Sequence, residues 1–271
     1  MKRITVVSFS PTGGTRSIAE CAARGIAEIL NIGEIRIVDL NLPETRQAQF
    51  RFGEDDIVVV ATPTYAGRIP NKALPGIKNI VSDGAVGVAV VSYGNRSFDD
   101  SLSELCMVMR ENGFKLAGAG AFVCRHVMSD VMGTGRPDSD DIAETESFGR
   151  SIGKKLLSGE VGELSIPGNT PPGPYYQPLD ENGNPASFLK AKPKLREELC
   201  NKCGACSRVC PMGSIAADEP ANVTGICIKC QACIHTCPQH ARYFDDPSML
   251  SHVRSLEKIY GGKHDANTIV F

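Results

Sequence analysis

The sequence predicts an α/β fold built on a parallel sheet, followed by a small cysteine-rich α+β domain. Over residues 1–158, short apolar runs alternate with helical patterns. Six prolines and three glycines then interrupt the chain between residues 165 and 185, and eight of the eleven cysteines fall between residues 200 and 237. Alternating strands and helices are typical of a parallel sheet that is covered on both faces.

The strand predictions depend on β-branched runs with few polar residues, which is the pattern of strands buried on both faces. The strong candidates are residues 4–9, 57–61 and 86–91, and the weaker ones are residues 35–38 and 115–123. The predicted helices between and after them span residues 15–30, 71–81, 99–112 and 139–157. Five parallel strands with helices on both sides therefore form the expected first domain.

Changes in composition divide the chain into four segments. We predict a ligand-binding domain over residues 1–159 and a proline-rich linker over 160–196, because proline and glycine favour extended, non-helical chain. The cysteine-rich domain spans 197–246. Residues 247–271 form a carboxyl-terminal helix, near 249–260, and a tail.

Charge and hydropathy exclude several classes of protein. The chain of 271 residues has a formal net charge of −2, which gives no reason to expect binding to nucleic acid or an anionic membrane. No run approaches the roughly 20 apolar residues of a membrane span, and the apolar run after Met1-Lys2-Arg3 is too short for a signal peptide. Since disulfide frameworks belong to secreted proteins, we interpret the cysteines as metal ligands in a cytoplasmic protein.

Two copies of the pattern C-x2-C-x2-C-x3-C-P begin at Cys200 and Cys227, 27 residues apart. The eight predicted metal ligands are Cys200, Cys203, Cys206, Cys210, Cys227, Cys230, Cys233 and Cys237. Zinc is the alternative, but structural zinc usually takes two separated C-x2-C pairs. A cysteine triplet followed by Cys-Pro, present twice, favours two [4Fe–4S] clusters.

The spacing suggests which cysteines share a cluster. Three thiolates two residues apart can wrap one face of a cubane, whereas the fourth reaches the other cluster in two-cluster ferredoxins. The first cysteine set is therefore Cys200, Cys203, Cys206 and Cys237, and the second cysteine set is Cys227, Cys230, Cys233 and Cys210. This segment resembles the bacterial two-cluster ferredoxins over about 50 residues, with all eight ligands present.

The surroundings of these cysteines are less acidic than in many free ferredoxins. Residues 187–246 hold eight Lys/Arg and six Asp/Glu, a net charge of +2. A less negative environment raises a cluster's reduction potential. The same residues could instead form a docking face or an ordinary solvated surface.

The first predicted strand leads into a turn that suits a phosphate. Its candidate ligands are Ser10, Thr12, Gly13, Gly14 and Thr15. Glycines allow close backbone approach, hydroxyls add hydrogen bonds, and the following helix presents free N–H groups and a favourable dipole. No G-K-[ST] follows, so the turn is not a nucleoside-triphosphate loop. A simple helix N-cap is the alternative.

Two further loops follow the third and fourth predicted strands, at the same sheet edge where ligands bind in α/β folds. Their candidate cofactor-binding residues are Pro63, Thr64, Tyr65, Ala66, Gly67, Ser92, Tyr93, Gly94, Asn95 and Phe98. The turn at residues 10–15 resembles the flavodoxin phosphate loop T/S-x-T-G-x-T. That resemblance implies a doubly wound flavodoxin-like sheet of order 2-1-3-4-5 and bound FMN, with Tyr65 and Tyr93 as candidate stacking partners. The chain has no tryptophan, which leaves the ring contacts open, and an empty flavodoxin fold is the alternative.

Together the motifs resemble flavodoxin–ferredoxin fusion proteins of anaerobic microbes. The resemblance implies an electron carrier that relays electrons between two [4Fe–4S] clusters and FMN and on to a redox partner protein, and a homodimer is compatible with it. The alternatives are a flavin-dependent reductase of a quinone or nitro compound and an iron–sulfur redox sensor.

Four other side chains could be mistaken for functional groups. We expect Cys21, Cys106 and Cys124 to be core residues, although Cys124 follows the fifth strand near the ligand edge. His235 is expected at the surface, with cluster tuning as the alternative.

Overall fold

The computed structural model describes residues 2–271, and all structural statements below concern that range. The strands are β1 Arg3–Ser8, β2 Ile35–Asp39, β3 Phe50–Gly53, β4 Asp56–Pro63, β5 Ile80–Asp83, β6 Val86–Tyr93, β7 Lys115–Val123, β8 Lys194–Leu195, β9 Arg242–Tyr243 and β10 Thr268–Val270. The α-helices are α1 Gly14–Leu30, α2 Pro43–Gln47, α3 Leu74–Lys78, α4 Ser101–Glu111, α5 Ser139–Ser158, α6 Ala205–Arg208, α7 Ala232–His235 and α8 Pro247–Tyr260, with a 3-10 turn at Glu197–Leu199.

The main sheet has six strands in the order β10-β7-β6-β4-β1-β2. All neighbouring pairs among β2, β1, β4, β6 and β7 are parallel. Numbered along the chain, these five strands follow the order 2-1-3-4-5 of the flavodoxin-like doubly wound fold. The sixth strand, β10, pairs antiparallel with β7 and was not anticipated from the sequence.

The predicted helix over residues 71–81 is wrong in extent. The helix there is the short α3, which ends at Lys78, and residues 80–83 form β5 instead. Ile80 and Val81 are β-branched and pair in parallel with Phe50 and Arg51 of β3, so a second two-stranded sheet replaces the end of the helix.

Each face of the main sheet carries its own core. Helices α1 and α5 cover one face, where Ile26 and Phe148 are fully buried, and α4 covers the other with Leu102 and Leu105. The α1–α5 contact requires glycine, because a Cβ at Gly149 would lie 2.1 Å from the Ala22 carbonyl oxygen. These layers hold the carboxyl edge of the sheet, where the predicted loops lie.

The cysteine-rich unit shows its 27-residue repeat in the backbone. Helices α6 and α7 start 27 residues apart, and the left-handed residues preceding them, Gly204 and Gln231, have φ values of 70° and 62°. Lys202 and Lys229 form another such pair, with φ values of 56° and 58°. The two halves therefore share one local conformation.

The proline-rich segment is fixed against the first domain by long-range contacts. Asp100 accepts hydrogen bonds from the backbone N–H groups of Asn169 and Gly173, at 2.8 and 2.7 Å. The N–H of Tyr176 donates to the Ala66 carbonyl oxygen at 2.8 Å, inside a predicted ligand loop. Among residues 2–271, no helix is both long and apolar enough to cross a bilayer.

Candidate functional site

The structure brings together the four cysteines of each predicted set. Two cavities lie in the cysteine-rich unit. The first is lined by Cys200, Cys203, Cys206 and Cys237, and the second by Cys210, Cys227, Cys230 and Cys233. In each set, three cysteines come from one repeat and the fourth from the other, so the residues fit two clusters with crossed ligands.

Backbone N–H groups donate to the cysteine sulfurs in matched pairs. The N–H groups of Lys202 and Lys229 lie 3.4 Å from Sγ of Cys200 and Cys227. Those of Ser214 and Ala241 lie 3.4 Å from Sγ of Cys210 and Cys237. Such bonds stabilise negative charge on sulfur, and the local fold supplies them equally to both sets.

The second cysteine set is the more deeply buried. Cys230 and Cys233 are 8% exposed, whereas Cys203 of the first set is exposed. Burial raises the pKa of both Cys230 and Cys233 to about 12. Since thiolates are the metal ligands, binding of iron must displace these protons.

The phosphate turn leaves the amino end of α1 open. The N-cap residue Gly13 has no side chain that could cap this helix, and it is left-handed with φ of 91°. Thr12 and Gly13 are exposed. Ser10 orders the turn, since its hydroxyl accepts from the N–H of Arg16 at 3.0 Å. Uncapped N–H groups next to hydroxyls fit a phosphate group.

The loop after β4 forms a tight turn whose central residues are both left-handed, with φ of 49° at Ala66 and 78° at Gly67. Tyr65 and Arg68 close it through two backbone hydrogen bonds, of 2.9 and 3.1 Å. Glycine is required at the second position, because a Cβ on Gly67 would lie 2.3 Å from Oδ2 of Asp99. The remaining predicted residues, Pro63 and Thr64, are partly buried at the end of β4.

The loop after β6 lies beside both the phosphate turn and the chain's tail. Ser92 bonds the Thr15 hydroxyl at 2.6 Å, which joins two predicted ligand positions. Tyr93 is buried, stacks edge-on against Phe98 with 5.4 Å between centroids, and donates to the Ala266 carbonyl oxygen. Burial, followed by the negative charge of Asp265, raises the pKa of Tyr93 to about 12.

Gly94 and Asn95 complete this loop. A Cβ at Gly94 would come within 2.4 Å of the His126 ring, so the backbone there passes directly over that side chain. Burial lowers the pKa of His126 to about 4. Asn95 is left-handed, with φ of 60°, and donates to the Lys263 carbonyl oxygen at 2.8 Å.

The second cysteine set faces the loop after β4. Burial raises the pKa of Tyr65 well above its usual value, and the nearby charges of Cys230 and Cys227 raise it further. Ile228, between two ligands, packs against the core of the first domain. Arg46 of α2 is buried and donates to the Pro211 carbonyl oxygen. These contacts place the second set at the interface and the first set on its far side.

The remaining candidates behave as ordinary side chains. Cys21 and Cys106 are buried in helices, and Cys124 is buried 3.8 Å from the position of a Cβ on Gly14. His235 is exposed, and its Nε2 lies 3.1 Å from the Val127 carbonyl oxygen.

Sequence reasoning missed two groups of residues at these sites. Asn41 accepts from the Ser10 N–H at 2.7 Å and donates back to the Ser10 carbonyl oxygen, but nothing in its neighbourhood marks it as a partner of the turn. The tail residues Lys263 and Ala266 meet the loop after β6 through contacts more than 165 residues apart. No local pattern could have shown these.

Comparison with known families bears directly on the cysteine-rich unit. Two family models, each described as a 4Fe–4S binding domain, match residues 193–216 and 224–245. The cysteine-rich unit is a domain for two [4Fe–4S] clusters. The chain thus joins a flavodoxin-like fold to a ferredoxin-type domain, and this combination gives it a redox, electron-transfer role.

Solved structures resemble the first domain only distantly. A flavodoxin from the domain Archaea is 18% identical, covering 57% of this chain and 99% of its own, with a TM-score of 0.38. A flavodoxin from Streptococcus pneumonia TIGR4 is 19% identical, covering 56% and 98%, with a TM-score of 0.39. Rubredoxin oxygen:oxidoreductase from the anaerobe Desulfovibrio gigas is 13% identical, covering 60% and 38%, with a TM-score of 0.43. Among curated proteins, none matches this chain. The fold assignment therefore depends on the strand order.

Proposed function

We propose that this protein relays electrons between its two [4Fe–4S] clusters and an FMN bound at the carboxyl edge of the main sheet, and exchanges them with a redox partner protein. The position of the second cysteine set against the first domain carries this proposal, because Ile228 packs on that domain's core and Arg46 binds the Pro211 carbonyl oxygen. A cluster transfers one electron at a time, whereas a flavin can accept one or two. The two sites would thus connect one-electron and two-electron chemistry.

The chain's own residues supply the binding and the positioning. The phosphate would lie against residues 10–15, where the end of α1 offers free N–H groups. The loops after β4 and β6 would hold the ring, with Tyr65 on the side of the second cysteine set. Segments from elsewhere in the chain fix both loops, through Tyr176 on Ala66 and Lys263 on Asn95. The loops are therefore ordered before any ligand arrives, which lowers the entropic cost of binding.

The two cysteine sets differ in access. Cys203 of the first set is exposed, whereas Cys230 and Cys233 of the second set are buried, and Ile228 beside them packs against the first domain. The order along the path would therefore be partner, first cluster, second cluster and flavin site. This order also supports a carrier over the alternative of a small-molecule reductase.

Anaerobic stopped-flow spectroscopy tests the relay. After a partner mimic has reduced the clusters, the clusters should pass electrons to the flavin, and the absorbance of both cofactors should change together within seconds. A flavin that keeps its redox state under these conditions overturns the relay, and steady turnover with a free quinone indicates the reductase instead.

Arg46→Met sharpens this test at the interface, because Arg46 joins the two domains through the Pro211 carbonyl oxygen. We expect slower transfer with unchanged FMN and iron contents. Arg51→Met is the matched control, since Arg51 is exposed and paired with Asp83 on the small sheet. Equal rates in the two variants would contradict the proposed path.

A further inference from the structure

The 27-residue repeat places different side chains at one position beside the clusters. Arg242 lies 27 residues after Ile215. Both are buried, with 2% and 6% of their surface exposed. Ile215 packs against Cys206 and Cys233 in the small core of the unit. The second repeat therefore carries a cation where the first carries a hydrocarbon.

The Arg242 guanidinium is directed at the first cysteine set. Its side chain lines the first cavity, and Nη2 lies 3.4 Å from Sγ of Cys206. The same nitrogen donates to the Pro220 carbonyl oxygen. In the described chain, Nε and Nη1 of Arg242 are buried without a hydrogen-bond partner. Buried donors are expensive to leave unpaired, so these N–H groups indicate an acceptor that belongs in the cavity.

Cations near the second cysteine set are differently engaged. The Lys229 ammonium donates to the carbonyl oxygens of Leu189 and Cys227. The Arg46 guanidinium donates to three carbonyl oxygens, including that of Pro211. Arg242 differs from both, since two of its nitrogens have no protein acceptor.

We propose that Arg242 is a positioning and tuning residue for the cluster held by the first cysteine set: it donates hydrogen bonds to that cluster's sulfur and raises its reduction potential. Arginine stays protonated in proteins, so the charge is permanent. A cluster with four thiolates is anionic and gains one further negative charge when it accepts an electron. A buried cation in contact stabilises that reduced form, because the attraction is little screened. This inference needs the two clusters but not the flavin relay.

The test is an anaerobic redox titration of the intact protein followed by electron paramagnetic resonance, which reports the two cluster midpoints. Arg242→Ile makes the two repeat positions identical, and an apolar residue of this size is already accommodated in the other half. We expect the cluster with the higher midpoint to lose at least tenfold in its equilibrium constant for reduction, a shift of 59 mV for a one-electron couple. The other midpoint should move less than half as far.

Arg208→Gln is the control, because Arg208 is an exposed cation near Cys203. Solvent screens its charge, so this substitution should change the equilibrium constant for reduction of either cluster less than twofold. Two unmoved midpoints in Arg242→Ile, or two midpoints that fall equally, overturn the proposal. If Arg242→Ile fails to bind eight irons, the same criteria apply to Arg242→Gln, which keeps a donor for Pro220. If neither variant holds the first cluster, the role of Arg242 is structural and the proposal is wrong.

Discussion

Glu104 holds the loop after β4 through Arg68 and Ile69, and its charge should contribute several kcal/mol to the free energy of unfolding. Its carboxylate accepts from Nε and Nη2 of Arg68 at 2.8 and 2.7 Å, and from the N–H of Ile69 at 2.9 Å. The side chains of Arg68 and Glu104 are 15% and 3% exposed. The change Glu104→Gln leaves a buried cation without its counter-charge, and breaking a buried pair costs about 3–5 kcal/mol. Glutamine retains one acceptor oxygen, so we expect Glu104→Gln to lower the free energy of unfolding by about 3 kcal/mol, the lower end of this range.

Urea unfolding of anaerobic protein, followed by far-UV circular dichroism, measures this loss. With an m-value of about 3 kcal/mol per molar, the unfolding midpoint should fall by about 1 M. We compare the urea midpoints of the variants and do not extrapolate free energies to zero urea, because a protein with bound cofactors does not unfold in a simple two-state transition. Glu111→Gln is the control at an exposed position of the same helix and should cost less than about 0.5 kcal/mol. Midpoints that coincide for the two variants would refute the reasoning.

The other predictions concern the phosphate turn and the anchor of the tail. Gly13→Ala puts a side chain at φ of 91°. Keeping that conformation costs about 1–2 kcal/mol, so the free turn should relax, and FMN binding, which needs the original turn, should weaken about tenfold, as measured by flavin fluorescence. Gly33→Ala, in open space at ordinary φ, should bind FMN normally, and equal affinities would count against the phosphate site. Asp141 is bound by Arg136 and Asn267. Burial alone would raise its pKa, but these bonds outweigh burial and hold the pKa below its usual value. Its stabilisation is therefore present above about pH 4 and lost as the pH falls further. The melting temperatures of wild type and Asp141→Asn should differ at pH 7 and converge in acid, and a gap independent of pH would contradict this.

The buried strands were predictable because both of their faces contact helices. A strand in that position contains almost only apolar residues, so the run itself marks the element. Strands β1, β4 and β6 begin or end within two residues of the predicted ranges 4–9, 57–61 and 86–91. The cysteine positions were equally clear, since a cluster fixes the spacing of its ligands.

Elements that depend on distant partners could not be predicted in the same way. Strand β10 has only three residues, and its pairing with β7 spans more than 140 positions. The composition of residues 160–196 indicated a loose linker, yet Asp100 and Arg68 bind it to the first domain. Proline and glycine restrict local conformation but carry no information about such contacts.

Arg242 shows where sequence information existed but was not decisive. Aligning the two repeats places Arg242 opposite Ile215, which marks it as unusual. Its burial, however, depends on β9, where it pairs with Leu195 of β8. Without that pairing it is one of eight basic residues in a segment of net charge +2. A count of charges treats all eight alike, whereas the structure separates one buried donor from the rest.

Docking and one side chain make the two halves of the iron–sulfur domain different. Their backbones supply the same N–H bonds to sulfur, at the same 3.4 Å, so the backbone alone would give similar clusters. The first domain packs against Ile228, between two ligands of the second cysteine set, and Cys230 is buried whereas Cys203 of the first set is exposed. Exposure and the Arg242 cation both act on the first cluster, and both favour its reduced form. On the proposed relay, the electron would therefore be held most strongly at the cluster that a partner can reach.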